Sequence, residues 1–203
     1  MPSMIEIGNI ALGHLGVKNQ VQSFDEASPE ASVLKIQYPA CRDHLLAVAP
    51  WPFASRRVIL ALETEDPPIE WRYRYVYPTD CLFARAIGLG REGVKVVLPD
   101  QQIPFELAGS DDADRLTILT DQPNAILSYT RRVVATGLMP PHFTTALGWY
   151  LASQIAPALT ASTALAQQTY GRYVYAREEA IRTAFAEAKE SPMPESEFMD
   201  IRI

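Results

Sequence analysis

Cys41 and His44 lie three positions apart in a stretch with helical periodicity, so a thiol and an imidazole share about one helix face and offer two ligands to a metal ion. No second pair accompanies them. His14 and His142 stand alone, and Cys81 has no paired spacing with Cys41. Two ligands do not close a tetrahedral site, so a packed cysteine beside a half-exposed histidine is the expectation. The segment "DDADRLTILTD" resembles a calcium loop, yet it lacks the glycine at the sixth position and the closing glutamate. A polar hairpin turn is expected of it, and Asp111, Asp112 and Asp114 crowd there without a partner base. "GLGREG" lacks the lysine and the following helix of a phosphate-cradling turn, and no GxSxG elbow is present. These residues predict no catalytic site, no metal and no cofactor.

One further stretch has chemical content. In "WRYRYVY", residues 71–77, Trp71, Tyr73, Tyr75 and Tyr77 alternate with Arg72, Arg74 and Val76. Strict alternation is the period of a strand. An arginine and aromatic surface can stack the bases of a single-stranded nucleic acid. The structural alternative is a half-buried antiparallel strand with a solvated basic face. Arg56-Arg57 and Arg131-Arg132 sit in or beside strand candidates in the same way.

The elements that must position these residues follow from period and punctuation. Residues 4–15 read as a short amphipathic helix stopped at Gly16. Ser28-Pro29-Glu30 reads as the start of a second helix, whose seam carries Leu34, Tyr38, Cys41, Leu45 and Val48, and which Pro50 and Pro52 end. The middle third changes period. Strand candidates are 56–62, 71–77, 82–87, 94–98, 105–108, 116–119 and 125–134, separated by turn-rich segments. Helical periodicity returns over 143–160 and again from Ser162 or Thr163 to about 189, with a stripe of Tyr170, Tyr173, Val174, Ile181, Phe185 and Ala188. The predicted fold class is α+β. Residues 1–54 and 138–191 form an antiparallel helix bundle, residues 55–137 an inserted antiparallel β-rich domain, and residues 192–203 an extended tail.

At 203 residues and 48% hydrophobic the chain can bury a sizeable core, and its net charge of -6 advertises no surface for duplex DNA. Glu6 and Asn9 interrupt the first apolar residues and no basic segment precedes them, so neither a signal peptide nor a membrane partner is expected. No Asp, Glu, Lys or Arg occurs from Val133 through Gly171. A surface helix normally shows water a charged face. Either the third helix is buried within its own chain, or a neighbouring subunit covers the face carrying Thr145, Gly148, Ala152 and Ala156. The second reading makes those four residues a subunit interface.

Four segments together resemble a known family. They are "ALGHLGVKNQVQSFDEASPEASVLKIQYPACRDHLLAVAPWPFASRRVILA" (11–61), "YVYPTDCL" (75–82), "LSYTRRV" (127–133) and "PPHFTTALGWYLASQIAPALTAS" (140–162). In this order the chain resembles the head-to-tail adaptor proteins of tailed phages, the tail tubular protein A-like connectors of short-tailed phages. The segment 88–114 is not part of the match. The resemblance implies a structural protein of the virion's head-tail junction, made in the host cytoplasm. It implies a homo-oligomeric ring, a dodecamer, which binds the portal protein on one side and a tail nozzle or tail tube protein on the other. DNA passes through its lumen without specific binding. Trp51 and Phe53, in the Pro50-Trp51-Pro52 corner, would then anchor the joint between bundle and β insert. The apolar tail residues Phe198, Met199, Ile201 and Ile203 would reach the portal. A nucleic-acid-binding module using strand 71–77 and a small-molecule-binding β domain are the competing expectations.

Overall fold

The computed structural model describes residues 2–88, 103–110 and 115–187. Its fold is α+β: four helices, α1 (Met4–His14), α2 (Pro29–Val48), α3 (Pro141–Thr160) and α4 (Thr163–Glu187), with six strands between α2 and α3. Ser3 and Glu6 close α1 with a reciprocal capping box, and Gly16 follows at φ 72, a conformation that glycine adopts without steric cost. The Ser28 hydroxyl accepts from the Ala31 amide and Pro29 takes the first helical position, as the sequence predicts.

Helices α1, α2 and α4 all pack on α3. Their shared core holds Ile7, Leu12, Leu34, Tyr38, Leu45, Phe143, Leu147, Leu151, Ile155 and Tyr173. Val48, expected in the seam of α2, is exposed at the last residue of that helix. The buried row of α4 also differs from the predicted stripe. Thr169, Tyr173, Ala180 and Ala184 face α3, while Tyr170 and Phe185 stand at the surface. Of the predicted stripe, Tyr173 is fully buried, Val174 and Ile181 are partly buried, and Ala188 lies outside the described residues.

The strands are β1 (Ser55–Ile59), β2 (Tyr73–Val76), β3 (Cys81–Gly88), β4 (Phe105–Gly109), β5 (Leu116–Thr120) and β6 (Ile126–Arg131). They form two antiparallel three-stranded sheets, β1-β6-β3 and β2-β5-β4. The strand candidate 94–98 lies outside the described residues. Bridges Leu62↔Tyr75 and Ile87↔Ile103 stitch the sheets at both margins, so the six strands wrap into a small barrel-like body. Leu60, Tyr75, Ile87, Ile118, Leu127 and Tyr129 fill its interior. The barrel is a packed core with its inward positions occupied by side chains.

Candidate functional site

The end of α2 is where bundle meets barrel, and its carbonyls need partners once the helix stops. No basic residue lies in its last turn. Two groups from later in the chain serve instead. The Trp51 indole donates to Leu45 O at 2.8 Å, and the Arg85 guanidinium, from β3, donates to Ala47 O at 2.7 Å. Arg85 also donates to Thr130 Oγ1 and lies 4.1 Å over the Phe83 ring. A cation at a helix C-terminus is favourable, so the barrel supplies the charge that α2 lacks.

Trp51 is 1% exposed and meets Phe143 edge-on at 5.0 Å, while Phe53 meets the same ring at 5.0 Å. Both corner residues therefore pack against the first turn of α3. One carboxylate, Asp43, spans the joint, and another, Asp80, ties strands of the barrel together. Asp43 of α2 holds Arg42 at 2.7 Å and Arg132 at 2.9 Å. Asp80 accepts from Arg56 and from the Tyr129 hydroxyl, each at 2.8 Å. The pairing with Tyr129 and Arg56 outweighs partial burial and holds Asp80 below the usual carboxylate range. Burial, with the neighbouring Asp80 carboxylate, pushes Tyr129 up to about 12. Asp43, Asp80 and Arg85 escape a reading of the sequence alone, because the contact that gives each its role is made with a residue far along the chain. The one available signal is the absence of a basic residue from the last turn of α2.

The chain's own helices cover the residues expected at a subunit interface. Ala152 and Ala156 are fully buried in the single chain. Gly148 is buried too, and a Cβ there would come within 3.2 Å of Ile10 Cγ2 on α1. Thr145 alone is exposed. The charge-free α3 is thus explained by three intramolecular neighbours, and that interface assignment is corrected. Phe198, Met199, Ile201 and Ile203 lie outside the described residues, as do Asp111, Asp112 and Asp114.

No protein-family model matches the chain, and no curated protein matches it either.

The remaining candidates for chemistry are dispersed. Cys41 is buried in the bundle, and burial pushes its thiol up to about 12, which favours the neutral form at neutral pH. His44 is exposed and stacks on Tyr150 at 5.0 Å. His14 stacks on Trp149 at 3.6 Å, and burial lowers its pKa. Among the described residues no three His, Cys, Asp or Glu side chains converge on a metal-sized space, and no described helix is long and apolar enough to cross a membrane.

The face of strand 71–77 expected to be solvated and basic is largely covered. Arg74 is 7% exposed and pairs with Glu65. Tyr75 is turned into the barrel, with its hydroxyl on Gln122 O. Arg72 stays exposed. Alternation along a strand separates two faces without saying what covers each of them.

Proposed function

We propose that this chain is a structural head-to-tail adaptor of a tailed phage, built into the virion as a ring that joins the portal to the tail and lets DNA pass through its lumen. It carries no catalysis in this reading. The four segments that resemble this family, spread from residue 11 to residue 162, support it.

One observation carries the proposal. Helices α2 and α4 each pack on α3, and each leaves large apolar side chains in solvent: Ile36 is 70% exposed on α2, Tyr175 71% and Phe185 52% on α4. Exposed apolar side chains on two different helices suit a heterologous contact, in which α4 of one copy meets α2 of the next; such contacts close into rings when the rotation allows. The joint fits a subunit that keeps its barrel at a fixed angle to its helices.

The test is mass measurement of the purified protein alone and mixed with the portal ring of the same phage. The proposal expects a defined ring on the portal, and expects Tyr175→Glu with Phe185→Glu to stay folded while failing to assemble. A wild-type protein that forms no oligomer in either condition overturns it, as does a double variant that assembles normally.

A further inference from the structure

Segment 63–71, "ETEDPPIEW", lies against the outer face of sheet β2-β5-β4. Register places Arg74, Leu119 and Glu106 side by side across that face. Leu119 is 3% exposed although it belongs to the outward row. The segment is fastened by its acidic groups. Glu65 pairs with Arg74 and accepts from the Ser110 hydroxyl at 2.7 Å, and Glu63 pairs with Arg115 at 2.5 Å. The Trp71 indole donates to Glu106, and the Arg72 amide donates to Asp121. Glu63 titrates below the usual carboxylate range because the Thr64 amide donates to it and Arg115 adds to the effect against the opposing cost of burial.

The fastening is incomplete. Arg74 is more than nine-tenths buried, yet its Nε has no hydrogen-bond partner among the described residues, and neither does Glu63 Oε2. A buried guanidinium offers several donors in a planar fork that matches carboxylate and phosphate oxygens. Here one carboxylate from a neighbouring loop fills part of that fork. The segment also carries the exposed Asp66 and Glu70, so four carboxylates fall in nine residues, two of them on a face floored by Arg74 and rimmed by Arg115. Its tip, Ile69, is fully exposed, and Pro67 and Pro68 have no amide with which to join a sheet.

We propose that segment 63–71 is an internal acidic occupant of a polyanion-binding face, and that single-stranded nucleic acid competes with it for Arg74 and Arg115. Phosphates replace the carboxylates of Glu63 and Glu65, while Trp71 at the margin of β2 supplies a stacking surface. With the strap in place, the face presents carboxylates to a passing strand and does not hold it. This inference stands on the strap alone and does not depend on ring assembly.

The experiment compares the intact protein with the Glu63→Gln/Glu65→Gln double variant by fluorescence anisotropy with labelled oligothymidylate, at about 50 mM and about 200 mM salt. The strap variant is expected to bind at least about tenfold more tightly than the intact protein at the lower salt and to lose most of that gain at the higher. Adding Arg74→Met should remove the gain. No gain in the strap variant overturns the proposal, and so does a gain that survives Arg74→Met. If circular dichroism shows the double variant unfolded, the intact protein decides the matter by hydrogen exchange with excess oligothymidylate. Displacement speeds exchange at Thr64 and Trp71, whose amides bond within the strap, and leaves Ile118 unchanged; no acceleration at the two strap amides overturns the proposal.

Discussion

The bundle and the barrel solve the same problem of burying polar groups in different ways. In the bundle, the buried hydroxyls of Thr144, Ser153 and Thr169 turn back onto carbonyls of their own helices. Helical backbone satisfies itself, so the space between helices can be given to Ala, Leu and aromatic rings. In the barrel, Thr117 and Thr120 donate across to Ala108 O and Pro104 O, and Arg74 sits beneath the strap, paired with the strap's own Glu65. A six-stranded body of short strands has little interior and much outer face. It reaches burial on that second face by covering it with an acidic loop. The helical half, among the described residues, buries one charge, Arg42, and holds it against Asp43 of the same helix, whereas the β half is held partly by charge across its covered face.

The strongest way to break this comparison is to place a charge in the bundle. Ala152→Glu should cost about 3–5 kcal/mol or more, because the carboxylate has no partner and no route to water. The variant is expected to be unfolded or aggregated by circular dichroism and size-exclusion chromatography. A folded Ala152→Glu monomer would return α3 to the role of an assembly face.

Trp51→Ala should cost about 3–5 kcal/mol in urea unfolding, since it removes a fully buried ring and leaves Leu45 O without its donor. Leu127→Ala should cost about 2–5 kcal/mol and sharpen the contrast, because it opens a cavity in the barrel alone. Hydrogen exchange is expected to quicken at β5 and β6 while α3 keeps its protection. Equal loss in both bodies would make them one cooperative unit.

The smallest effect is expected at Asp80. Its depressed pKa means that the unfolded chain takes up the proton more readily than the native one. Its contribution is therefore present above the ordinary value of 3.8 and lost as the pH falls through the lower native value. Asp80→Asn should cost about 1 kcal/mol at neutral pH, given its partial exposure, and should flatten the acid limb of stability against pH.

Much of this architecture is legible in the sequence. Ser28-Pro29, Gly16 and the Pro-Trp-Pro corner are local signals, and local signals fix the ends of elements. Strand positions emerge from alternation and turns. The misread features are those where a period shows a face without its partner. The uncharged α3 looks the same whether its neighbours are its own helices or another subunit. Arg74 looks solvated until a loop with no period of its own is laid over it. The Arg85 to Ala47 contact crosses thirty-eight positions and the Arg132 to Asp43 contact eighty-nine, and neither leaves a spacing to find.

The register of β1 against β6 has a consequence for how the chain reaches this state. Ser55, the first residue of the insert's first strand, pairs with Thr130 near the end of its last. Paired strands lie about 5 Å apart. Once the barrel has formed, the two halves of the bundle leave it from adjacent points, and the search that α3 must make for α1 and α2 is no longer that of a loop as long as the insert. Closing a long flexible loop carries an entropy cost and slows folding. A prefolded barrel absorbs that cost, acting as a clip that hands α3 to its partners. Folding that begins in the insert is therefore the faster route, and stopped-flow kinetics of Leu127→Ala should show slower formation of the bundle's helices, a part of the molecule that the substitution does not touch.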